Sequence, residues 1–97
     1  MRLSASDIKT VKEYFQGQPV LKAYLFGSYS RDQADNKSDV DILVDLDYSK
    51  HIGLGFVKMQ EDLEEILHKH IDLVSSNAVS VHLKPFIEKD SMLIYER

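Results

Sequence analysis

The chain has 97 residues, of which 43% are hydrophobic and 29% charged. That is enough to bury roughly 60–70% of the unfolded surface around one core, and too apolar for a disordered segment. The absence of cysteine excludes disulfides, thiolate zinc or iron–sulfur sites and a cysteine nucleophile, and the net charge of −4 excludes a generic polyphosphate-neutralising surface.

In chain order, Ser6 reads as an N-cap with Asp7 in the first turn, and Ile8, Val11 and Phe15 form the stripe of a helix that ends at Gly17 and Pro19. Val20 to Phe26 reads as a strand, with Leu21, Ala23 and Leu25 on one face and Tyr24 and Phe26 on the other. A Gly27-Ser28 turn follows, then a short helix over Tyr29 to Ala34 and a polar turn over 35–38. Asp39 to Leu46 shows the clearest strand alternation, Val40, Ile42, Val44 and Leu46 against Asp39, Asp41, Leu43 and Asp45. Phe56 to His68 reads as a helix on the stripe Phe56, Met59, Leu63, Ile66 and Leu67, and Ile71 to Ser75 as a short strand. Pro85 suits the first turn of a last helix, before a terminal strand or packed tail through Leu93, Ile94 and Tyr95. This order predicts an α+β fold, a small mixed sheet flanked by helices, as a single domain over 1–97. No apolar run approaches a membrane span and the first seven residues lack a signal-peptide core, so the expectation is a cytoplasmic protein with no membrane partner.

Chemistry concentrates in three places. Asp39 and Asp41, two apart on a strand, point to one face roughly 6.6–6.8 Å apart, and such carboxylates can converge on a hard divalent cation such as Mg²⁺. Taken alone, the spacing is also that of a solvated strand face shared with Asp45 and Asp47, and alone that reading prevails. Gly27-Ser28, after a strand and before a helix, allows close backbone approach to a phosphate. Arg31, about one turn on, either reaches a phosphate or pairs with an acid such as Asp35. Asp72 begins a strand that would lie beside the second one and could add a third carboxylate; alone, it reads as a solvent-facing acid. His68 and His70 read as surface or capping residues, Tyr29 and Tyr95 as packed side chains.

The combination is more specific than its parts. Gly27-Ser28, ten residues, then Asp39-x-Asp41 would arise in a chain this long roughly once in a thousand. With Leu25-Phe26-Gly27-Ser28-Tyr29-Ser30-Arg31, Ser38-Asp39-Val40-Asp41-Ile42-Leu43-Val44 and Ile71-Asp72-Leu73-Val74, the chain resembles the minimal nucleotidyltransferases of the DNA polymerase β superfamily, encoded beside HEPN-domain proteins. The tail Leu83 to Ile87 with Leu93-Ile94-Tyr95 resembles the family's usual ending. Asp32 departs from it, standing where the family often has glycine and adding an acid near the phosphate site.

The resemblance implies a polymerase β-like nucleotidyltransferase fold. It also implies that Gly27 and Ser28, with Arg31 as a further nucleotide-binding candidate, hold the phosphates of ATP. Asp39, Asp41 and Asp72 would be the catalytic residues and the ligands of two Mg²⁺ ions. An acceptor hydroxyl would attack the α-phosphorus and pyrophosphate would leave. With no further domain to hold an acceptor, the resemblance implies one held in trans: a tyrosine of a HEPN ribonuclease toxin, with this chain as its antitoxin and adenylyltransferase and no direct contact with nucleic acid. One alternative is a binding-only antitoxin with a vestigial site, which would still neutralise its partner after Asp39→Asn/Asp41→Asn. Another is a small acidic module that pairs with a basic protein, binds no ATP and is strongly salt-sensitive.

Overall fold

The computed structural model describes residues 3–27, 39–79, 82 and 84–97. Helix α1 spans Ala5–Gln16, strand β1 Val20–Phe26, β2 Val40–Leu46, α2 Gly55–Leu67, β3 Ile71–Ser75, α3 Lys84–Asp90 and β4 Met92–Glu96, with a 3-10 turn over Ser76–Ala78 after β3. The short helix expected over Tyr29 to Ala34 lies outside the described residues.

The first helix starts one half-turn earlier than its sequence suggests. Ser4, not Ser6, is the N-cap: its hydroxyl accepts from the Asp7 N–H at 3.0 Å, while the Asp7 carboxylate accepts from the Ser4 N–H at 3.3 Å. This reciprocal pair satisfies two helix-end donors at once, which Ser6 could not do because the residue three on from it is Lys9, a donor with no acceptor. Gly17 closes the other end, its N–H directed at the carbonyls of Phe15 and Tyr14.

The sheet order is β3-β2-β1-β4. β1 pairs antiparallel with both β2 and β4, and β2 pairs parallel with β3, the arrangement that needs a crossover such as α2. It is thus a mixed sheet with helices, as expected. Val40, Ile42, Val44 and Leu46 join Ala23, Leu25, Ile71 and Leu73 in one core with Val11 and Phe15 of α1 and Met59, Leu63 and Leu67 of α2. The apolar stripes of both helices therefore cover the same sheet face. The opposite parity of β2 carries Asp41, Leu43 and Asp45, with Leu43 aligned between Tyr24 and Val74.

Two departures from strict alternation have one cause. The β1–β2 register slips between Val20 and Lys22, so Val20 is buried and Leu21 is exposed rather than facing inward with Ala23 and Leu25. The β1–β4 register slips between Ala23 and Tyr24, and adjacent Ile94 and Tyr95 both enter the core. The Tyr95 ring packs 5.7 Å from that of Phe15, so this tyrosine is a packing residue, as its sequence setting suggests. Tyr29 lies outside the described residues.

Candidate active site

Three strand ends meet on the sheet face away from α1 and α2. β2 and β3 run in parallel from neighbouring starts, which sets Asp41 beside Asp72 in register. On the other side of β2, Phe26 at the end of β1 is aligned with Asp41, and Gly27 follows it. The adjacency of β1, β2 and β3 in the sheet thereby brings Gly27, Asp41 and Asp72 together.

Gly27 has φ +73°, in the left-handed region. A Cβ at this position would stand 3.3 Å from the Asp41 Cγ and overlap its Oδ2. Two requirements thus coincide on glycine: the backbone turn and the space taken by a carboxylate.

Asp41 is half-buried, and its pKa is pushed up to about 6. Burial is the largest cause, followed by the negative charges of Asp72 and Asp39 and a side-chain hydrogen bond with Asp72. Two carboxyl groups in hydrogen-bond contact must share a proton or have a cation nearby. The donor set suits a hard divalent ion, because all the side-chain atoms offered by this pair are carboxylate oxygens. Among the described residues no three acidic, imidazole or thiol groups close into a complete metal cage. Mg²⁺ does not require one, since it binds one or two carboxylates and completes its shell with water and substrate phosphate oxygens.

Asp39 sits just before β2 and is exposed. Its Oδ1 lies 3.2 Å from Nδ1 of His70, the residue before β3. His70 is the neighbour of the site that the sequence reading left as a surface or capping residue; the signal was its place two residues before Asp72, on the same strand parity. His68 is the cap, with φ 54° and its N–H donating to the Glu64 carbonyl at 2.8 Å. Ser28, Arg31, Asp32 and Asp35 lie outside the described residues.

The remaining acids of the cluster go elsewhere. Asp45 is aligned with Lys22. Asp47, past the far end of β2, accepts from Ser49 and from Arg97 at 2.9 Å, and these contacts hold its carboxyl below the ordinary range. Shared strand parity therefore does not make one acidic face: Asp39 and Asp41 stand at one end of β2, Asp45 and Asp47 at the other.

Residues 9–97 match the family described as Polymerase beta, Nucleotidyltransferase. A protein of Methanocaldococcus jannaschii provisionally named a protein adenylyltransferase is 36% identical over 73 residues, covering 75% of this chain and 77% of its own. A second from the same organism, with the same provisional name, is 32% identical over 96 residues, covering 93% and 95%. The protein adenylyltransferase MntA of Thermococcus cleftensis is 42% identical over 55 residues, 57% of this chain and 54% of that one. In fold, the chain is similar to a toxin–antitoxin crystal structure with AMP-PNP, with a TM-score of 0.76 at 22% identity over 98% of this chain and 75% of that one. It is also similar to a complex of a tri-AMPylated Shewanella oneidensis HEPN toxin with its MNT antitoxin, with a TM-score of 0.71 at 19% identity over 95% and 71%. The family match extends from within α1 to the last residue and takes in every strand that builds the carboxylate pair, so the chain belongs to the polymerase β nucleotidyltransferase family and is a nucleotidyltransferase.

Proposed function

We propose that this chain transfers AMP from ATP to a tyrosine hydroxyl of a HEPN ribonuclease toxin and acts as its antitoxin, working as a single domain over 1–97. The observation that carries the reading is the Asp41–Asp72 carboxylate pair laid against the side-chain-free backbone of Gly27. AMP and a protein acceptor are supported by the names of the relatives, and the HEPN partner by the likeness in fold to the antitoxin of the AMPylated complex. A net charge of −4 argues against nucleic acid as a direct partner.

In this mechanism Asp39, Asp41 and Asp72 would hold two Mg²⁺ ions, which would offset the triphosphate charge and stabilise both the attacking and leaving oxygens. Gly27 lets the triphosphate approach the backbone, and Ser28 and Arg31, the adjoining polar residues, contribute to the same phosphates. Asp72 faces the acceptor and takes the hydroxyl proton as the new oxygen–phosphorus bond forms. The bond between the α-phosphorus and its bridging oxygen breaks, and pyrophosphate carries away the electron pair. The raised pKa of Asp41 suits a group that must exchange a proton for a cation near neutral pH.

The test is transfer of label from α-labelled ATP to a purified HEPN protein encoded beside this chain, with Mg²⁺, comparing wild type with Asp39→Asn/Asp41→Asn. Label on the partner, lost in the double variant, is expected. A complex that neutralises the partner without label, and equally well in the double variant, would replace catalysis by masking.

A further inference from the structure

We propose that His70 is a positioning residue that restrains the Asp39 carboxylate at the edge of the acidic cluster; this rests on the reading of the acidic cluster as a cation site. The loop from α2 into β3 fixes the backbone that carries the largely exposed imidazole. His68, in the left-handed region, reverses the chain after α2, with its N–H on the Glu64 carbonyl. The Glu64 carboxylate reaches across the same loop and accepts from the Ile71 N–H at 3.1 Å. The same oxygen lies 3.8 Å from His70 Nε2. On the other side of the ring, Nδ1 lies 3.2 Å from Asp39 Oδ1. The His70 carbonyl accepts from the N–H of Val40 at 2.9 Å. His70 is therefore joined to the Asp39–Val40 step twice, once through its backbone and once through its ring.

This matters because Asp39 differs from Asp41. Asp41 is held by burial and by Gly27, whereas the Asp39 side chain is 55% exposed and just outside the strand. Such a carboxylate would sample several rotamers in water. The ring contact restrains it while engaging one oxygen of a group with about four lone-pair sites, leaving capacity for a cation. Both ring nitrogens face carboxylates, so the imidazole is placed as a donor to a ligand and not as a ligand itself. Outer partners of this kind typically change metal affinity by about 10–100-fold when removed.

The experiment measures Mn²⁺ binding to the purified chain by the electron paramagnetic resonance signal of the free ion, with metal-free thermal unfolding alongside. His70→Ala is expected to weaken Mn²⁺ binding about tenfold with little change in unfolding temperature. His70→Asn, whose amide nitrogen stands near the position of Nδ1, should restore most of the affinity. Wild-type affinity in His70→Ala, or no recovery in His70→Asn, overturns the inference. Asp41→Asn separates the two levels. If it loses Mn²⁺ while His70→Ala does not, the cation site stands and the role of His70 falls. If Asp41→Asn binds like wild type, both fall.

Discussion

At the scale of single residues, Gly27 and Asp41 are defined by each other. Gly27→Ala must place a Cβ where the Asp41 carboxylate lies and hold a left-handed φ, which alone costs about 1–2 kcal/mol. The expected result is that loss in chemical denaturation, and about a hundredfold loss of nucleotidyl transfer from a displaced carboxylate. Asp41 gives a pH signature. Its pKa is raised in the fold, so between the ordinary carboxylate value and about 6 the folded state holds a proton that the unfolded state has lost. Stability from this group is complete below that window and falls as pH rises through it. Asp41→Asn, which cannot ionise, should therefore gain melting temperature over wild type from pH 4 to pH 7, with the difference level above that. A constant difference across this range would mean that burial and Asp72 do not raise the Asp41 pKa.

At the scale of elements, the helices hold the sheet whose other face carries the site. Leu63, fully buried in the α2 stripe, packs in the core beneath β2. Leu63→Ala is expected to cost about 2–5 kcal/mol in urea unfolding. Ser4→Ala removes the capping box of α1 and should cost about 1 kcal/mol, or about 4–8 °C at this chain length, with transfer activity unchanged at permissive temperature. The two helices are also tied by polar groups. The Tyr14 hydroxyl donates to Asp62 at 2.6 Å, and Lys58 Nζ lies 3.0 Å from the same carboxylate. These contacts, the tyrosine's first, hold the Asp62 carboxyl below its ordinary range. The acids of Glu61 to Glu65 therefore have different partners. Asp62 links α2 to α1, and Glu64 caps the entry to β3.

At the scale of the whole molecule, the parallel β2–β3 pairing with its α2 crossover sets Asp41 beside Asp72, and the antiparallel β1 brings Gly27 to meet them. Such an acidic site is better occupied than empty. At about ten times its dissociation constant, Mg²⁺ should stabilise the fold by about 1.4 kcal/mol, read as a rise of several degrees in melting temperature that EDTA reverses and Asp41→Asn abolishes. No helix among the described residues is long and apolar enough to cross a membrane.

Much of this architecture was legible from residue order because it depends on local periodicity. β1 and β3 follow their sequence bounds, and α2 and β2 shift by only a residue. The spacing of Gly27-Ser28, Asp39-x-Asp41 and Asp72 was enough to suggest the family, which the match over residues 9–97 shows. What a linear pattern does not contain is register. The two slips flanking β1 expose Leu21 and bury both Ile94 and Tyr95, because a bulge depends on how neighbouring strands pair. In the same way, parity made Asp39, Asp41, Asp45 and Asp47 one set, and only the sheet divided them between opposite ends of β2. His70 reads from the sequence as a surface or capping residue. Its contact with Asp39, 31 positions away in the numbering of one chain, exists because parallel pairing places the starts of β2 and β3 side by side.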